Sequence, residues 1–314
     1  MKFKQVFALC VLTVVLSTFT FAQSTYEFLR IDVSPRAAAL AGSYVSNSDD
    51  PNVIFYNPAG INSLEGMPVS FSYVKYLSGL GINLAGFSMS KDFEGIGRFA
   101  TGISYINYGN FDGKDEYGAD TKDFSVGEVA FIVGYGNSLD ENFYYGANAK
   151  FIYSSFAEVS SSALAVDLGL QYVFPEQLIN IGFSVLNIGG QLSSYFNTKE
   201  DLPLDMRIGI SKRLEHLPLR LYLSFNKLND DNGKFSDRFK TFTIGAEFNL
   251  SKVLRLRLGY DNEKRKEMKI GTTAGLAGFN IGVGAVISGY NFDYAYSSWG
   301  EIGSLNRIGI STTF

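Results

Sequence analysis

Few side chains in this sequence have the type and spacing that catalysis or metal binding requires. His216 is the only histidine, and it lies in a predicted short turn rather than on a strand beside a serine that it could activate. Cys10 is the only cysteine, and it precedes the predicted cleavage site of a secretory signal, so the mature chain has no thiol. A lone histidine is also a poor metal site. We therefore expect no enzymatic activity, no metal site and no cofactor.

A set of charged residues recurs at the spacing of β-strands. Each lies on the polar face of a segment that alternates between apolar and polar residues, and the set is Lys150, Asp167, Arg220, Glu247, Arg255, Arg257, Asp261, Asp293 and Arg307. Arg255 and Arg257 are two residues apart, so both side chains point to the same face of a strand. The pattern allows a selective, charged lining of an interior space or a set of mutually neutralising ion pairs, and we favour the ion pairs.

The elements that must position these charges are strands with a period of two. In the segment 241–250, for example, Phe242 and Ile244 alternate with Thr243 and Gly245. Such segments run for about ten residues, the length that a tilted strand needs to cross a bilayer. The predicted strands lie near residues 67–76, 82–91, 97–108, 124–136, 143–154, 162–173, 179–189, 204–213, 218–228, 240–250, 253–261, 278–287, 290–298 and 305–314.

The connections between these strands differ in length on the two sides. Those after even-numbered strands are mostly short, whereas several after odd-numbered strands are long and polar, namely 109–123, 190–203, 229–239 and 262–277. Short periplasmic turns and long extracellular loops are typical of outer-membrane barrels. We therefore predict an all-β fold, a 14-stranded antiparallel transmembrane β-barrel over residues 67–314, rather than a soluble all-β protein.

Both ends of the chain carry export features. Residues 1–22 contain two lysines and then an apolar run, which predicts a signal peptide, and its removal changes the net charge from −4 to −6. A mildly acidic chain argues against a nucleic-acid partner. The last strand stops at Phe314 and resembles the C-terminal signal of bacterial outer-membrane barrels. We therefore expect the mature protein in the outer membrane of a Gram-negative bacterium, in contact with membrane lipids, with Trp299 in an interfacial aromatic girdle.

Residues 23–66 do not alternate, and we predict that they form a short, partly helical plug. The lumen of a 14-stranded barrel is too wide for its wall side chains to fill. Arg36, which follows Pro35 at a predicted helix start, is expected either to seat the plug through an ion pair with Asp49 or Asp50 or to be a solvated arginine.

Further residues are expected to hold this plug. Asn57 and Pro58 predict a turn that leads to the first strand. The expected lumen charges are Arg220, Glu247, Arg255, Arg257 and Asp293. Of these, Arg255 and Arg257 are the candidates for binding carboxylates of the plug.

The plug segment also carries a family resemblance. Its residues Tyr26-Glu27-Phe28-Leu29-Arg30, Ser34-Pro35-Arg36-Ala37-Ala38-Ala39-Leu40-Ala41-Gly42, Asp49-Asp50 and Phe55-Tyr56-Asn57-Pro58-Ala59-Gly60 resemble the N-terminal signature of the PorV/PorQ family, and Asp293-Tyr294-Ala295-Tyr296-Ser297 resembles its penultimate-strand motif. The sequence departs from the family pattern at Pro35 and Ala41. The length and the Tyr-x-Phe-Leu opening lean towards PorQ, and the Asn-Pro-Ala element is shared with the related FadL-type fatty-acid transporters.

The resemblance implies a component of the type IX protein secretion system, which associates with a large translocon barrel in the outer membrane and receives the C-terminal domains of secreted cargo. Its extracellular loops would make these contacts, and the candidate residues are Phe111, Tyr117, Tyr195, Phe196 and Phe235, although these could equally be solvated. The alternative function is a FadL-like transporter of long-chain fatty acids or another hydrophobic ligand, which needs an apolar pocket between plug and wall. We place interaction above transport.

Overall fold

The computed structural model describes residues 24–77, 79–230, 235–269 and 273–314. The predicted signal peptide, residues 1–22, lies outside the described residues. The described chain forms one closed barrel of 14 strands, in which every strand pairs antiparallel with its neighbours in sequence and the last strand pairs with the first. The predicted 14-stranded antiparallel β-barrel is thus confirmed.

The strands follow the predicted order. They are β1 (Pro68–Tyr76), β2 (Ile82–Phe93), β3 (Gly97–Phe111), β4 (Phe124–Asp140), β5 (Phe143–Phe156), β6 (Val159–Phe174), β7 (Ile179–Ser193), β8 (Asp205–Arg213), β9 (Leu219–Phe225), β10 (Phe242–Asn249), β11 (Leu254–Asp261), β12 (Phe279–Ile287), β13 (Tyr290–Ser298) and β14 (Ser304–Thr313). At the long-loop end, β3, β6 and β7 extend beyond their predicted bounds, because main-chain pairing continues where the alternation of apolar and polar residues has ended.

The apolar faces of the strands point outwards. In β6, Leu164, Val166 and Leu168 are 50%, 43% and 49% exposed, whereas Asp167 between them is fully buried. This pattern fits a lipid-facing wall around a polar interior and is the reverse of a soluble barrel. No helix in the described part of the chain is both long and apolar enough to cross a membrane.

Residues 24–67 lie inside the barrel as the plug, and three of its turns begin in the same way. The side chains of Ser34, Asp50 and Asn57 each accept a hydrogen bond from a main-chain N–H two or three residues ahead, and each is followed by proline. Such a cap satisfies a free N–H at a helix start, where proline loses no hydrogen bond. The short helices of the plug are Glu27–Arg30, Pro35–Ala39, Pro51–Phe55 and Pro58–Ser63.

The plug runs through the barrel from the long-loop end to the short-turn end. At the long-loop end, Ser24 forms a parallel bridge with Asp201 in the β7–β8 connection. At the other end, Met67 and Phe314 exchange main-chain hydrogen bonds of 2.9 and 3.2 Å beside the start of β1. The chain therefore enters the lumen at its mouth and leaves it at the opposite rim.

Candidate functional site in the plugged lumen

Glycines of the barrel wall let the plug main chain approach very closely. A Cβ atom at Gly182 would lie 2.1 Å from the carbonyl oxygen of Val45, and one at Gly146 would lie 2.5 Å from the carbonyl carbon of Pro58. Protein interiors are close-packed, and a contact this short requires the plug to move. Glycine on the wall therefore allows the plug to fill the middle of the lumen.

Arg36 joins the plug to the wall. Its Nε and Nη2 atoms donate to the two carboxylate oxygens of Glu247 on β10, each at 2.8 Å. Its Nη1 atom lies 2.9 Å from Asp49 Oδ1 and 3.7 Å from Asp50 Oδ2. Arg36 is only 5% exposed, so this two-pronged bond to Glu247 lies away from water and is stronger than a surface ion pair.

Neighbouring charges extend this contact into a network. Arg220 Nη1 lies 2.8 Å from Asp49 Oδ2, so Asp49 bridges two arginines. Arg257 Nε donates to Glu247 Oε2 at 2.6 Å, and Arg257 Nη1 contacts Asp293 on β13. We call Arg36, Asp49, Asp50, Arg220, Glu247, Arg257 and Asp293 the seat network, because it links the plug to β9, β10, β11 and β13.

The expectation that Arg255 and Arg257 bind plug carboxylates is wrong. Arg257 contacts Glu247 and Asp293, which both belong to the wall, and Glu247 is its direct cross-strand neighbour. Arg255 lines a cavity at the short-turn end and forms no ion pair within the described residues. Among the described residues, Arg220 is the wall arginine that forms an ion pair with a plug carboxylate, Asp49, and its position on β9 is opposite Glu247.

The pKa values of Asp49 and Asp50, two neighbouring carboxylates of the plug, are shifted in opposite directions. Partial loss of water raises the pKa of Asp49, whose side chain is 44% exposed, but the charges of Arg36 and Arg220 outweigh this effect and hold that pKa well below its ordinary value. Burial raises the pKa of Asp50 above its ordinary value, because Arg36 is further away and only partly offsets the loss of water. Asp49 therefore keeps its negative charge more readily than Asp50 and is the stronger partner of Arg36.

A second set of contacts holds the plug on the opposite wall. Asn57 Nδ2 donates to Val45 O at 2.7 Å within the plug and to Leu170 O on β6 at 3.1 Å. Pro58 follows as the first residue of its short helix and is buried against β5. Asn148 of β5 donates to Ile54 O at 2.9 Å. The plug is thus bonded to both sides of the barrel.

A cavity of about 370 Å³ opens below the plug, at the short-turn end. It is polar, and its lining includes Arg36, Asp49, Asp50, Arg255 and Asp293.

A cavity of about 340 Å³, the outer vestibule, opens above the plug, at the long-loop end. Apolar and aromatic side chains of the plug, the wall and the loops line part of it, and they include Phe28, Ile31, Tyr108, Met268 and Trp299. Charged side chains line the rest, and they include Arg30, Asp32, Arg207, Lys264 and Arg307. The outer vestibule is therefore amphipathic, and it shares no lining residue with the cavity below the plug.

Trp299 belongs to this vestibule and not to an interfacial girdle, contrary to expectation. Its ring packs edge-on against Tyr76, with ring centroids 5.2 Å apart. Trp299 lies in the β13–β14 connection, directly before the short helix Gly300–Ile302, and this turn directs the ring towards the lumen. Its indole Nε1 is buried and has no hydrogen-bond partner among the residues that the structure describes.

The loop aromatics differ in exposure. Tyr117 and Phe196 are 87% and 77% exposed, and Phe111 is 44% exposed and stacks on Phe124. Tyr195 is half-buried, and its hydroxyl donates to Ser154. The side chain of Phe235 lies outside the described residues.

The histidine considered for catalysis does not line either cavity of the lumen. His216 is exposed in the β8–β9 turn. No three histidine, cysteine or acidic side chains among the described residues converge as a metal ion requires.

Solved structures similar to this chain identify its fold. No protein-family model matches the sequence, and no curated protein matches it. Among solved structures, the toluene transporter TbuX of Ralstonia pickettii aligns with a TM-score of 0.61 and 13% identity over 90% of this chain and 98% of that chain. A FadL homologue of Pseudomonas aeruginosa aligns with a TM-score of 0.56 and 10% identity over 95% and 100%.

A third similar structure is the monoaromatic hydrocarbon channel CymD, with a TM-score of 0.55 and 12% identity over 93% of this chain and 99% of that chain. Identities this low carry the fold and not the substrate. The chain therefore has the fold of FadL-like outer-membrane barrels, complete with a plug in the lumen.

Proposed function

We propose that this protein takes up hydrophobic small molecules across the outer membrane, with the plug as the gate. The observation that carries the proposal is the outer vestibule, where aromatic and apolar side chains open towards the long loops. Ligand sites are concave and combine apolar walls with polar groups that orient the ligand, and the vestibule is a concave space with an aromatic and aliphatic part beside a charged part. The similar structures named as toluene transporter and monoaromatic hydrocarbon channel support the same reading.

The proposed path begins with removal of the ligand from water. Contact with Phe28, Ile31 and Trp299 would bury apolar surface of the ligand, and this burial contributes roughly 25 cal/mol of favourable free energy per Å². Passage beyond the vestibule would require the plug to shift, because the wall glycines leave no space beside Val45 and Pro58. The seat network would then set the free energy of opening.

Trp299 provides a direct test because it is the only tryptophan of the chain. We expect bromobenzene and 9,10-dibromostearate to quench its fluorescence saturably in the purified mature protein, since bromine quenches only at close range. Quenching that rises linearly with concentration, as for a fully solvated indole, would contradict a ligand site in the vestibule.

A matched pair of variants sharpens this test. Met268→Asp replaces apolar lining by a carboxylate and is expected to weaken quencher affinity about tenfold, because an apolar ligand loses a contact surface and must displace the water held by the carboxylate. Leu276→Asp, at a residue that is 66% exposed on the same loop and does not line the vestibule, is the control and is expected to leave the affinity unchanged.

A second candidate function is docking of a translocon barrel or of cargo C-terminal domains in the type IX secretion system. It is supported by the N-terminal motifs and by the exposed loop aromatics Tyr117 and Phe196. Large aromatic residues are enriched where proteins bind each other.

Replacement of both loop aromatics tests this second function. The double variant Tyr117→Ser and Phe196→Ser is expected to abolish co-purification of a partner barrel from detergent-solubilised outer membranes, with barrel stability unchanged within about 0.5 kcal/mol. Retained co-purification would speak against the loops as the docking surface. Quenching of Trp299 in this variant, measured in parallel, reports on the vestibule alone.

A further inference from the structure

Most of the charges that line the outer vestibule neutralise one another. Eleven charged residues line this cavity, six acidic and five basic, and eight of them form four ion pairs within the lining, for example Arg207 with Asp205. Among the described residues, the lining charges without an ion pair are Asp32, Glu267 and Arg307. Glu267 is exposed to water at the end of a short helix, so Asp32 and Arg307 are the unpaired charges inside the cavity.

Arg307 is buried and still has free hydrogen-bonding capacity. It lies on β14 and is only 3% exposed. Its Nε donates to Asp32 O at 3.0 Å, and its Nη1 donates to Ser297 Oγ at 2.8 Å. In the part of the chain that the structure describes, its Nη2 has no hydrogen-bond partner. A buried cation without an anion has lost water without gaining a partner, and an anionic group of a ligand can supply that partner.

The carboxylate of Asp32 is the unpaired anion beside this arginine. The main-chain carbonyl of Asp32 contacts the Arg307 guanidinium, so the two charged residues are neighbours in the lining. A Cβ atom at Gly42 would lie 3.1 Å from Asp32 Oδ1, which places the carboxylate next to Gly42, another residue of the vestibule lining. The two side chains nevertheless form no ion pair with each other. A molecule that carries one charge of each sign can bridge them.

Aromatic rings lie directly above these two charges. Val74 on β1 is the cross-strand neighbour of Arg307, and Tyr76 follows two residues nearer the mouth, on the same face of β1. Two residues of a strand span roughly 7 Å. The ring of Tyr76 packs edge-on against Trp299, with ring centroids 5.2 Å apart. One small molecule can therefore contact the rings and both charges at once.

We propose that the ligand of the outer vestibule is a zwitterion with an aromatic body, such as an aromatic α-amino acid. Its carboxylate binds Arg307 Nη2, its ammonium binds the Asp32 carboxylate, and its ring packs against Tyr76 and Trp299. A purely anionic ligand fits less well, because the lining has one more acid than base and Asp32 repels a second carboxylate. The inference rests on the proposed uptake function and specifies the class of its substrate.

Four bromoarenes that differ in their charges test this assignment through the fluorescence of Trp299. 4-Bromophenylalanine carries both charges, 3-(4-bromophenyl)propionate only the carboxylate, 2-(4-bromophenyl)ethylamine only the ammonium, and bromobenzene neither. We expect 4-bromophenylalanine to bind about tenfold more tightly than either singly charged compound. The physical reason is that loss of either charge removes a charge-assisted hydrogen bond to the lining.

Two variants assign each charge to its partner. Asp32→Asn is expected to weaken binding of 4-bromophenylalanine and of the amine about tenfold, but not binding of the propionate. Arg307→Gln is expected to weaken binding of 4-bromophenylalanine and of the propionate about tenfold, but not binding of the amine. Bromobenzene measures in both variants whether the vestibule is still formed. Glu94→Gln, at an exposed residue of the β2–β3 turn, is the control for loss of one acid and is expected to change none of the affinities.

The outcomes separate this inference from the uptake function. Saturable quenching by bromobenzene, with 4-bromophenylalanine bound no more tightly than its singly charged analogues, would overturn the zwitterion and leave the ligand site in place. Variants that weaken all four compounds equally would also overturn it, because a change in cavity shape acts on every ligand. Quenching that rises linearly with concentration for all four compounds would contradict both the zwitterion and the uptake function.

Discussion

Arg36→Met is expected to unseat the plug while the barrel stays closed. The seat network contains three arginines and four carboxylates, and the variant leaves two arginines for the same four acids. Removal of one partner from a buried ion pair costs about 3 kcal/mol or more, because the remaining charge has lost both water and partner. Glu247 keeps Arg257 and Asp49 keeps Arg220, so we expect the lower end of that range.

The population of the unseated plug can be measured by thiol labelling. Ser46 is fully buried in the plug, and its hydroxyl has no hydrogen-bond partner, so Ser46→Cys is a nearly neutral reporter. A loss of about 3 kcal/mol corresponds to about 100-fold faster maleimide labelling when labelling follows opening. An unchanged rate would show that the seat network does not hold the plug.

Arg36→Lys is the matched control. It keeps the positive charge but loses the planar fork that reaches both oxygens of Glu247, and its labelling rate is expected between those of the parent and Arg36→Met. A rate equal to that of Arg36→Met would assign the effect to the fork geometry, and a rate equal to the parent would assign it to charge alone. Heat-dependent migration in SDS gels reports separately that the barrel remains folded.

Gly182→Val is expected to displace the plug from the other side of the barrel. The added Cβ would lie 2.1 Å from Val45 O and 2.9 Å from Ser46 Cα, both in the plug main chain. Overpacking of this kind costs about 3 kcal/mol, and the plug yields rather than the wall, because the wall is bonded on both sides. We expect faster labelling of Ser46→Cys and larger ion conductance in planar bilayers.

The same strand offers a matched control. Gly190→Val makes the same substitution on β7, but a Cβ there meets no atom of the described residues within 4 Å. We expect neither labelling nor conductance to change in this variant. If both valine variants behaved alike, the effect of Gly182→Val would come from the strand itself and not from contact with the plug.

The local pattern of the sequence was sufficient for the strands and their faces. Apolar side chains at every second position, such as Leu164, Val166 and Leu168, all face the lipid only when the segment is a strand. Likewise, Pro35 at a helix start and Asn57 before Pro58 marked turns of the plug through contacts within a few residues. These features depend on neighbours along the chain, and so they can be read from it.

Contacts between residues on different strands could not be predicted from the local pattern of the sequence. Arg255 and Arg257 share a face of one strand, yet only Arg257 reaches Glu247 and Asp293, because strand register sets the depth of each side chain. Trp299 turned out to line the vestibule, because the turn that carries it points inwards. The sequence showed that glycine is abundant, but it did not show which glycines of the wall contact the plug.

Alternation with a period of two predicted the 14-stranded barrel and the inward side of each strand, because alternation is a property of short stretches of chain. Which charges form the seat network and where the vestibule opens depend on the folded barrel. These features join residues more than a hundred positions apart, and their distances follow from barrel closure and strand register, which no local pattern encodes.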